Sequence, residues 1–272
     1  MRLAAIHTYP VKGCHRLDHD GARVEPWGLA GDRRWMVIDE HGVGVTQREA
    51  AELVTLHAEV RDGGLLLRAA GHPDLVVPEP AGGEPVPVRT FRTRQLTVPA
   101  LPAGPPANDW LGTLLGRPVR LVWLARPIRH IPADDRDHDT GDQVSFADAY
   151  PLLLASSASL DALNGWLADA GEPPVPMARF RPNLVVDGAP AWAEDAWAGR
   201  RLRIGTAVLR AAGPCDRCVV TTTDQETGVR GKEPLRALAR HRTIGQKLLF
   251  GLHMVPEGPG AVHVGDPVVV EA

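Results

Sequence analysis

The sequence predicts a β-rich α+β protein in which strands outnumber helices and the helices pack outside the sheets. Three observations predict it. Through the first hundred residues, short β-branched and apolar runs alternate with turns built on Gly, Asp and Pro. Nine prolines between Pro73 and Pro106 leave only brief apolar strips, a distribution that suits edge strands and strand ends. Only three segments read as helices. With 272 residues and 44% hydrophobic content, the chain can bury one large core or two modest ones.

In order, Leu3 to Tyr9 reads as the first strand, closed by Pro10. Arg33 to Asp39 and Val43 to Gln47 flank His41-Gly42, and Val54 to Val60 and Leu65 to Ala69 flank Asp62-Gly63-Gly64, which predicts two hairpins. Val86 to Val88 and Gln95 to Val98 are short strips inside the proline-rich stretch. Asn108 is placed to cap a helix over Asp109 to Leu115 that Gly116 stops, and Val119 to Leu124 follows as a strand. Arg126 to Asp142 is rich in charge, Pro and His. It lacks the glycine and terminal glutamate of an EF-hand calcium loop and reads as a solvated or substrate-covering loop.

Leu152 to Ala155 runs into Ser156-Ser157, either of which can cap a helix over Ala158 to Ala170, where Leu160, Leu163, Trp166 and Leu167 share one face. Leu184 to Val186 is a strand, and Arg201 to Ile204 with Ala207 to Ala211 forms a hairpin around Gly205-Thr206. Val219 to Thr223 is an unbroken β-branched run that favours a pleated strand over a helix. A turn at Asp224 to Gly228, a helix from Glu233 to Arg240, and strands at Leu249 to Val255 and Pro267 to Val270 complete the chain.

Net charge is −3 with no block of five like charges, which argues against a nucleic-acid surface or a polybasic membrane anchor. No stretch approaches the ~20 apolar residues of a membrane span, and the N-terminus lacks a signal-peptide apolar region. A soluble, cytoplasmic protein with a small partner is expected. Three cysteines, an odd number, argue against a disulfide framework. Two of them make Cys215-Asp216-Arg217-Cys218, and a Cys-x-x-Cys admits disulfide redox chemistry, half a zinc site or one thiolate on a softer metal. The expected strand setting weakens the redox reading, which calls for a helix N-terminus. No His pair follows at zinc-finger spacing.

Several motifs now stand in order: Tyr9-Pro10-Val11-Lys12, Gly31-Asp32-Arg33-Arg34-Trp35, Phe180-Arg181-Pro182-Asn183, Cys215 to Cys218 with the following threonines, Asp224 to Gly228, Lys232-Glu233-Pro234-Leu235 and Gly265-Asp266-Pro267-Val268. Together they resemble the MOSC-domain molybdenum proteins that carry a preceding β-barrel domain. That group includes the mitochondrial amidoxime-reducing components and bacterial reductases of N-hydroxylated bases. The resemblance implies an N-terminal β-barrel-like domain over residues 1–122, open to completion by later segments, packed on a MOSC-type β-barrel domain over 123–272 with peripheral helices.

The resemblance also implies a molybdenum-molybdopterin cofactor whose metal is bound by Cys218. A single thiolate is a soft ligand suited to such a metal, and neighbouring Arg217 is expected to favour its ionised form. The pterin phosphate calls for cations and backbone donors, and Lys12, Arg33 and Arg181 match the family positions for that task. Asn183 and Ser156 match positions expected to hydrogen-bond the cofactor, with helix capping as the other reading of Ser156. Gly13 replaces a serine common after the motif lysine, leaving its amide as donor, and His253 stands where relatives carry a tyrosine near the cofactor. Cys14, beside Lys12, reads as an oxidised or buried thiol rather than a second metal ligand.

The implied activity is reduction of N-oxygenated small molecules, with Asp216 as candidate proton donor or as an exposed carboxylate. Some relatives end in a plant-type ferredoxin domain needing four cysteines. This sequence has no such set, so a separate electron-donor protein, a ferredoxin, flavodoxin or cytochrome b5-like carrier with its reductase, is expected. The alternative is a sulfur-carrier or cofactor-handling protein using a Cys218 persulfide or bound cofactor, since MOSC domains also occur in molybdenum-cofactor sulfurases.

Overall fold

Strands dominate a computed structural model that describes residues 1–91, 96–131 and 141–271. Its largest sheet has nine strands and draws on both ends of the sequence. Along it lie Leu17–His19, Arg2–Thr8, Leu184–Asp187, Leu152–Ser156, Lys247–Pro256, Ala207–Asp216, Arg201–Ile204 and Val268–Val270, with Thr243–Ile244 paired to Lys247–Pro256. Leu152–Ser156 and Leu184–Asp187 run parallel, so their connection has to cross over, and the helix Ser157–Asp169 lies within it. Gly21–Glu25 leaves this region to pair with Gly260–His263 and Gly28–Leu29.

The remaining N-terminal part builds two smaller sheets. Trp35–Ile38, Arg120–Trp123, Val98–Pro102 and Val86–Val88 form one, and His57–Arg61, Gly64–Arg68 and Leu75–Pro78 the other, with the helix Pro105–Leu115 against them. The β-rich class is as expected; in the proline-rich stretch Val86–Val88 is a strand as foreseen, whereas the second strand runs Val98–Pro102 and meets the foreseen Gln95 to Val98 only at Val98, Gln95 lying outside the described residues. None of the described sheets closes on itself, so barrel closure is not seen among the described residues. No helix among them is long and apolar enough to cross a membrane.

Two large cores follow from this division. One packs Leu3, Ile6, Val24 and Leu29 with Leu154, Val186, Leu209 and Met254. The other packs Tyr9, Val11, Trp35, Leu53, Leu65, Trp110 and Leu121. The chain passes from the first core to the second at Tyr9 to Cys14. On the helix Ser157–Asp169, Leu163 and Leu167 are buried against Phe180 and Phe250 with Leu160 and Trp166 beside them, the face its periodicity selects.

Four local expectations are corrected. The helix starts at Pro105 rather than Asp109, with Pro at its first turn. Asn108 therefore lies inside it, and its side-chain oxygen accepts the Leu121 amide at 3.0 Å. Ala51–Thr55 is a 3₁₀ turn, so the strand expected from Val54 starts at His57. Val43 and Gly44 contribute only isolated bridges. Val219–Thr222 is a 3₁₀ turn, not a strand, because Thr221 and Thr222 hydroxyls donate to the carbonyls of Cys218 and Val219 at 3.0 and 2.8 Å. Threonine, unlike valine, can satisfy a local carbonyl in this way. The acidic positions 134, 135, 137 and 139 of the expected covering loop lie outside the described residues.

Candidate active site

A cavity of about 850 Å³ is lined by residues from both ends of the sequence, from Lys12 to His253, a size suited to a cofactor-sized ligand. Lys12, Gly13, Arg33, Arg181, Asn183, Asp216, Arg217, Cys218 and His253 all line it. Positions from 12 to 253 thus converge on one wall. Ser156 does not. It is fully buried at the end of its strand, makes no capping bond and has no hydrogen-bond partner for its hydroxyl, so the capping explanation is corrected too.

The basic end of the cavity is organised around Tyr9. Arg33 and Arg181 lie over its ring, at 4.4 and 4.0 Å from the centroid, and its hydroxyl donates to the Pro182 carbonyl at 3.1 Å. Both arginines have left-handed backbone, at φ 49° and 53°, an uncommon state for non-glycine residues that concentrates at functional sites. Arg33 therefore sits in a turn ahead of Trp35–Ile38, not in the strand, and its side chain is mostly covered rather than solvent-facing. It is paired with Asp32 and donates to Asn183 Oδ1 at 3.1 Å. Asn183 in turn donates to the His7 carbonyl and Asp32, both at 3.1 Å. Its amide thus braces the framework.

Arg181 is different. Nη1 donates to the Cys14 carbonyl and to Gln225 Oε1, each at 2.8 Å, while Nη2 is buried with no partner. Burial pulls this guanidinium below its usual range. A buried cation with an orphaned donor lacks an anion. Lys12, buried at the Tyr9 to Cys14 crossing, is already engaged by Asp148 and donates to the Phe146 carbonyl at 2.7 Å. Burial brings its ammonium down to about 8 against the pull of Asp148. Gly13 turns the chain at φ 87°, where a side chain would be strained and would meet Leu53.

The sulfur end separates the two cysteines. Cys218 is exposed, at the start of the 3₁₀ turn, and accepts from Arg48 Nη2 at 3.4 Å. Arg48 also holds Asp148 at 3.0 Å, and burial, which would raise that carboxyl, is overcome by Lys12 and Arg48, which hold it well below the ordinary carboxylate range. Arg217 instead donates to Cys215 Sγ at 2.8 Å and to the Phe180 carbonyl at 2.7 Å, so the expectation that it serves Cys218 is corrected. Burial works to raise the Cys215 thiol, but Arg217 and His253 overcome it and bring it to about 7. His253 stacks on Tyr150 at 4.4 Å. Cys14 is buried, which pushes its thiol up to about 11.

Cys215 reaches this position because register shifts interrupt the pairing of Ala207–Asp216 with Lys247–Pro256 between Ala211 and Gly213 and again between Pro214 and Asp216. Such irregularities re-aim side chains near active sites. Sequence reasoning missed Arg48, Asp148 and Tyr150. Their local contexts offer no ligand motif, and only the fold brings them to the wall. Among the described residues, no group of three or more His, Cys, Asp or Glu side chains converges to hold a metal ion, so a zinc module built on the Cys-x-x-Cys finds no further ligands there.

Comparison with known proteins decides the family. The MOSC N-terminal beta barrel domain matches residues 1–118 and the MOSC domain residues 141–269. The chain belongs to the MOSC-domain family. It is 35% identical to the mitochondrial amidoxime-reducing component 1 of Mus musculus over 98% of this chain and 81% of that protein. The human counterpart is 34% identical over 98% and 82%. A molybdenum cofactor sulfurase of Anopheles gambiae is 31% identical over 96% of this MOSC chain, which corresponds to 35% of that longer protein.

The donor set fits the phosphate-bearing pterin cofactor that the family implies. The orphaned, buried Arg181 Nη2 is short of an anion, the lining is rich in Arg and Lys, and Cys218 presents an exposed sulfur in the same cavity.

Proposed function

We propose that this MOSC chain is a molybdenum-cofactor-dependent reductase of N-oxygenated compounds: hydroxylamines, amidoximes and N-hydroxylated bases. The observation that carries this is the convergence of one exposed thiol, Cys218, and one buried, anion-deficient cation, Arg181, on a single cavity. Relatives named for amidoxime reduction that match nearly the whole chain support it.

In this reading Arg181 holds the cofactor phosphate, with Arg33 and the Gly13 amide beside it and Lys12 balanced by Asp148. Cys218 ligates the metal, and Arg48 steadies its charge. The bound cofactor supplies the two-electron redox centre. Reduction of R–NH–OH takes up two electrons and two protons and releases R–NH₂ and water. Asp216, exposed at the mouth with Oδ1 engaged by the Leu248 amide at 2.9 Å, hands over a proton from Oδ2. Asn183 positions Arg33, and the His253–Tyr150 stack forms a wall against which a planar substrate lies. The electrons come from a separate carrier protein. Cytoplasmic residence is part of the proposal, although the relatives' names place them in mitochondria.

Protein purified from cells with intact cofactor synthesis is expected to contain molybdenum and to reduce benzamidoxime with an artificial donor. Cys218→Ala is expected to abolish that turnover. Absence of molybdenum in the wild type, or full activity in the variant, would sink the reading. The likeness to a molybdenum cofactor sulfurase and the exposure of Cys218 favour one alternative, a sulfur-carrier or cofactor-handling role. A persulfide on Cys218, found by mass spectrometry in molybdenum-free protein, would decide for it.

A further inference from the structure

The reductase reading requires a protein that brings electrons, and the mouth of the cavity has the chemistry to receive one. Between Val229 and Phe250 lie six Arg and Lys residues and a single acid, Glu233, in a chain whose net charge is −3. This segment folds as the helix Leu235–His241 followed by the hairpin of Thr243–Ile244 with Lys247–Pro256. The hairpin tip borders the cavity through Ile244 and Lys247.

Part of this charge is neutralised at home. Arg236 pairs with Glu172 and Glu233, and Arg242 with Asp195. The rest is not. Arg230 donates to the backbone carbonyls of Gln47 and Arg48, which leave its charge uncompensated. Lys232, Arg240 and Lys247 are exposed and have no ion-pair partner among the described residues. Among these cations stand two apolar side chains open to solvent, Val229 at 67% and Ile244 at 61%. Exposed apolar side chains on the same segment as uncompensated cations suit a protein partner, whereas a polyanion calls for charge alone.

Ring contacts lead from the end of the same helix to the cavity wall. His241 stacks on Trp166 at 4.4 Å, Trp166 on Trp192 at 5.2 Å, Trp192 meets Phe250 edge-on at 6.0 Å, and Phe250 stacks on Phe180 at 3.7 Å. Phe180 lines the cavity. A series of ring contacts therefore joins the exposed helix to the site.

We propose that residues 230–247 form the docking face for a small acidic electron-carrier protein of the ferredoxin kind. Resting on the reductase reading, it assigns the partner of that same site. Complementary charge steers the carrier to the mouth of the cavity, and a one-electron carrier docks twice for each N–OH bond reduced.

The test uses Lys232→Glu/Arg240→Glu, two exposed positions outside the cavity, with Lys232→Gln/Arg240→Gln as the milder pair. An acidic [2Fe–2S] ferredoxin, kept reduced by its reductase, is the probe. In the Glu variant kcat/KM for ferredoxin is expected to fall by about tenfold or more, with a smaller fall in the Gln variant. The wild-type rate should drop as salt is added, and the Glu variant should lose that dependence. Turnover with dithionite-reduced methyl viologen, which needs no docking face, should be unchanged. Calorimetric binding of oxidised ferredoxin reads the face without turnover. A protein inactive with both reductants counts against the reductase reading, while binding still decides the face. Equal ferredoxin binding by wild type and Glu variant overturns the proposal. So does an equal loss with methyl viologen, or binding of anionic vesicles or DNA without any of ferredoxin.

Discussion

Cys215 and Cys218 are three residues apart and end in different surroundings. Arg217 and His253 hold Cys215 near a pKa of about 7 against the effect of burial, so in cofactor-free protein its alkylation by iodoacetamide should rise with pH around 7. Arg217→Ala removes the largest single effect that opposes burial, and the alkylation midpoint should move upward toward the ordinary thiol range; an unchanged midpoint would show that His253 alone suffices. Because the folded thiol lies below its unfolded value, its contribution to stability is present above the unfolded range and is lost as pH falls through about 7. A second contrast sets Arg181 against Ser156. Arg181→Ala should lower retained molybdenum by about tenfold to a hundredfold, the equivalent of one charged hydrogen bond. Ser156→Ala, which removes a hydroxyl with no partner, should leave metal content unchanged and stability within about 0.5 kcal/mol. Metal analysis and urea unfolding of the two variants check both.

At the scale of elements, the 3₁₀ turn Val219–Thr222 tests why a β-branched run fails to extend. Thr221→Val/Thr222→Val keeps the side-chain shape and deletes two hydroxyl-to-carbonyl bonds. It should destabilise by about 1 to 2 kcal/mol in chemical denaturation. Were the run a strand, valine would do no harm. This element shows where local signals mislead. The hairpin His57–Arg61 with Gly64–Arg68 and the helix Ser157–Asp169 were legible because alternation, turn residues and helical periodicity agreed in each. Val219 to Thr223 was not, since β-propensity was the only local signal and hydrogen bonds to the preceding turn outweighed it. The start of the helix at Pro105 was missed for a similar reason, with Asn108 offering a plausible cap while its side chain served the neighbouring Leu121 amide.

For the whole molecule, the first strand matters most. Arg2–Thr8 pairs with Leu184–Asp187, and Leu3 and Ile6 lie in the core built mainly by the C-terminal half. A division into 1–122 and 123–272 therefore cuts through one hydrophobic core. The 123–272 fragment alone should lack cooperative unfolding, and adding the 1–122 fragment should restore it, with circular dichroism on heating as the measure. Fragment 123–272 folding alone with a full thermal transition would mean that the first strand is dispensable. In the intact chain, Leu3→Ala should cost about 2 to 5 kcal/mol, and both halves should melt together.

The sequence by itself determined the β-rich class and the order of the motifs, because strand alternation, turn chemistry and motif order are written along the chain; of the ten site positions that the family resemblance implied, nine line the cavity. Only the tertiary structure decided what those residues touch. It joined Arg217 to Cys215, brought Arg48 and Asp148 to Cys218 and Lys12, and left Arg181 with an unanswered donor. The physical reason is that contacts depend on strand register and on where one core hands the chain to another. A register shift beside Cys215 and a crossing at Tyr9 to Cys14 set distances between residues more than a hundred positions apart, and no local propensity encodes them.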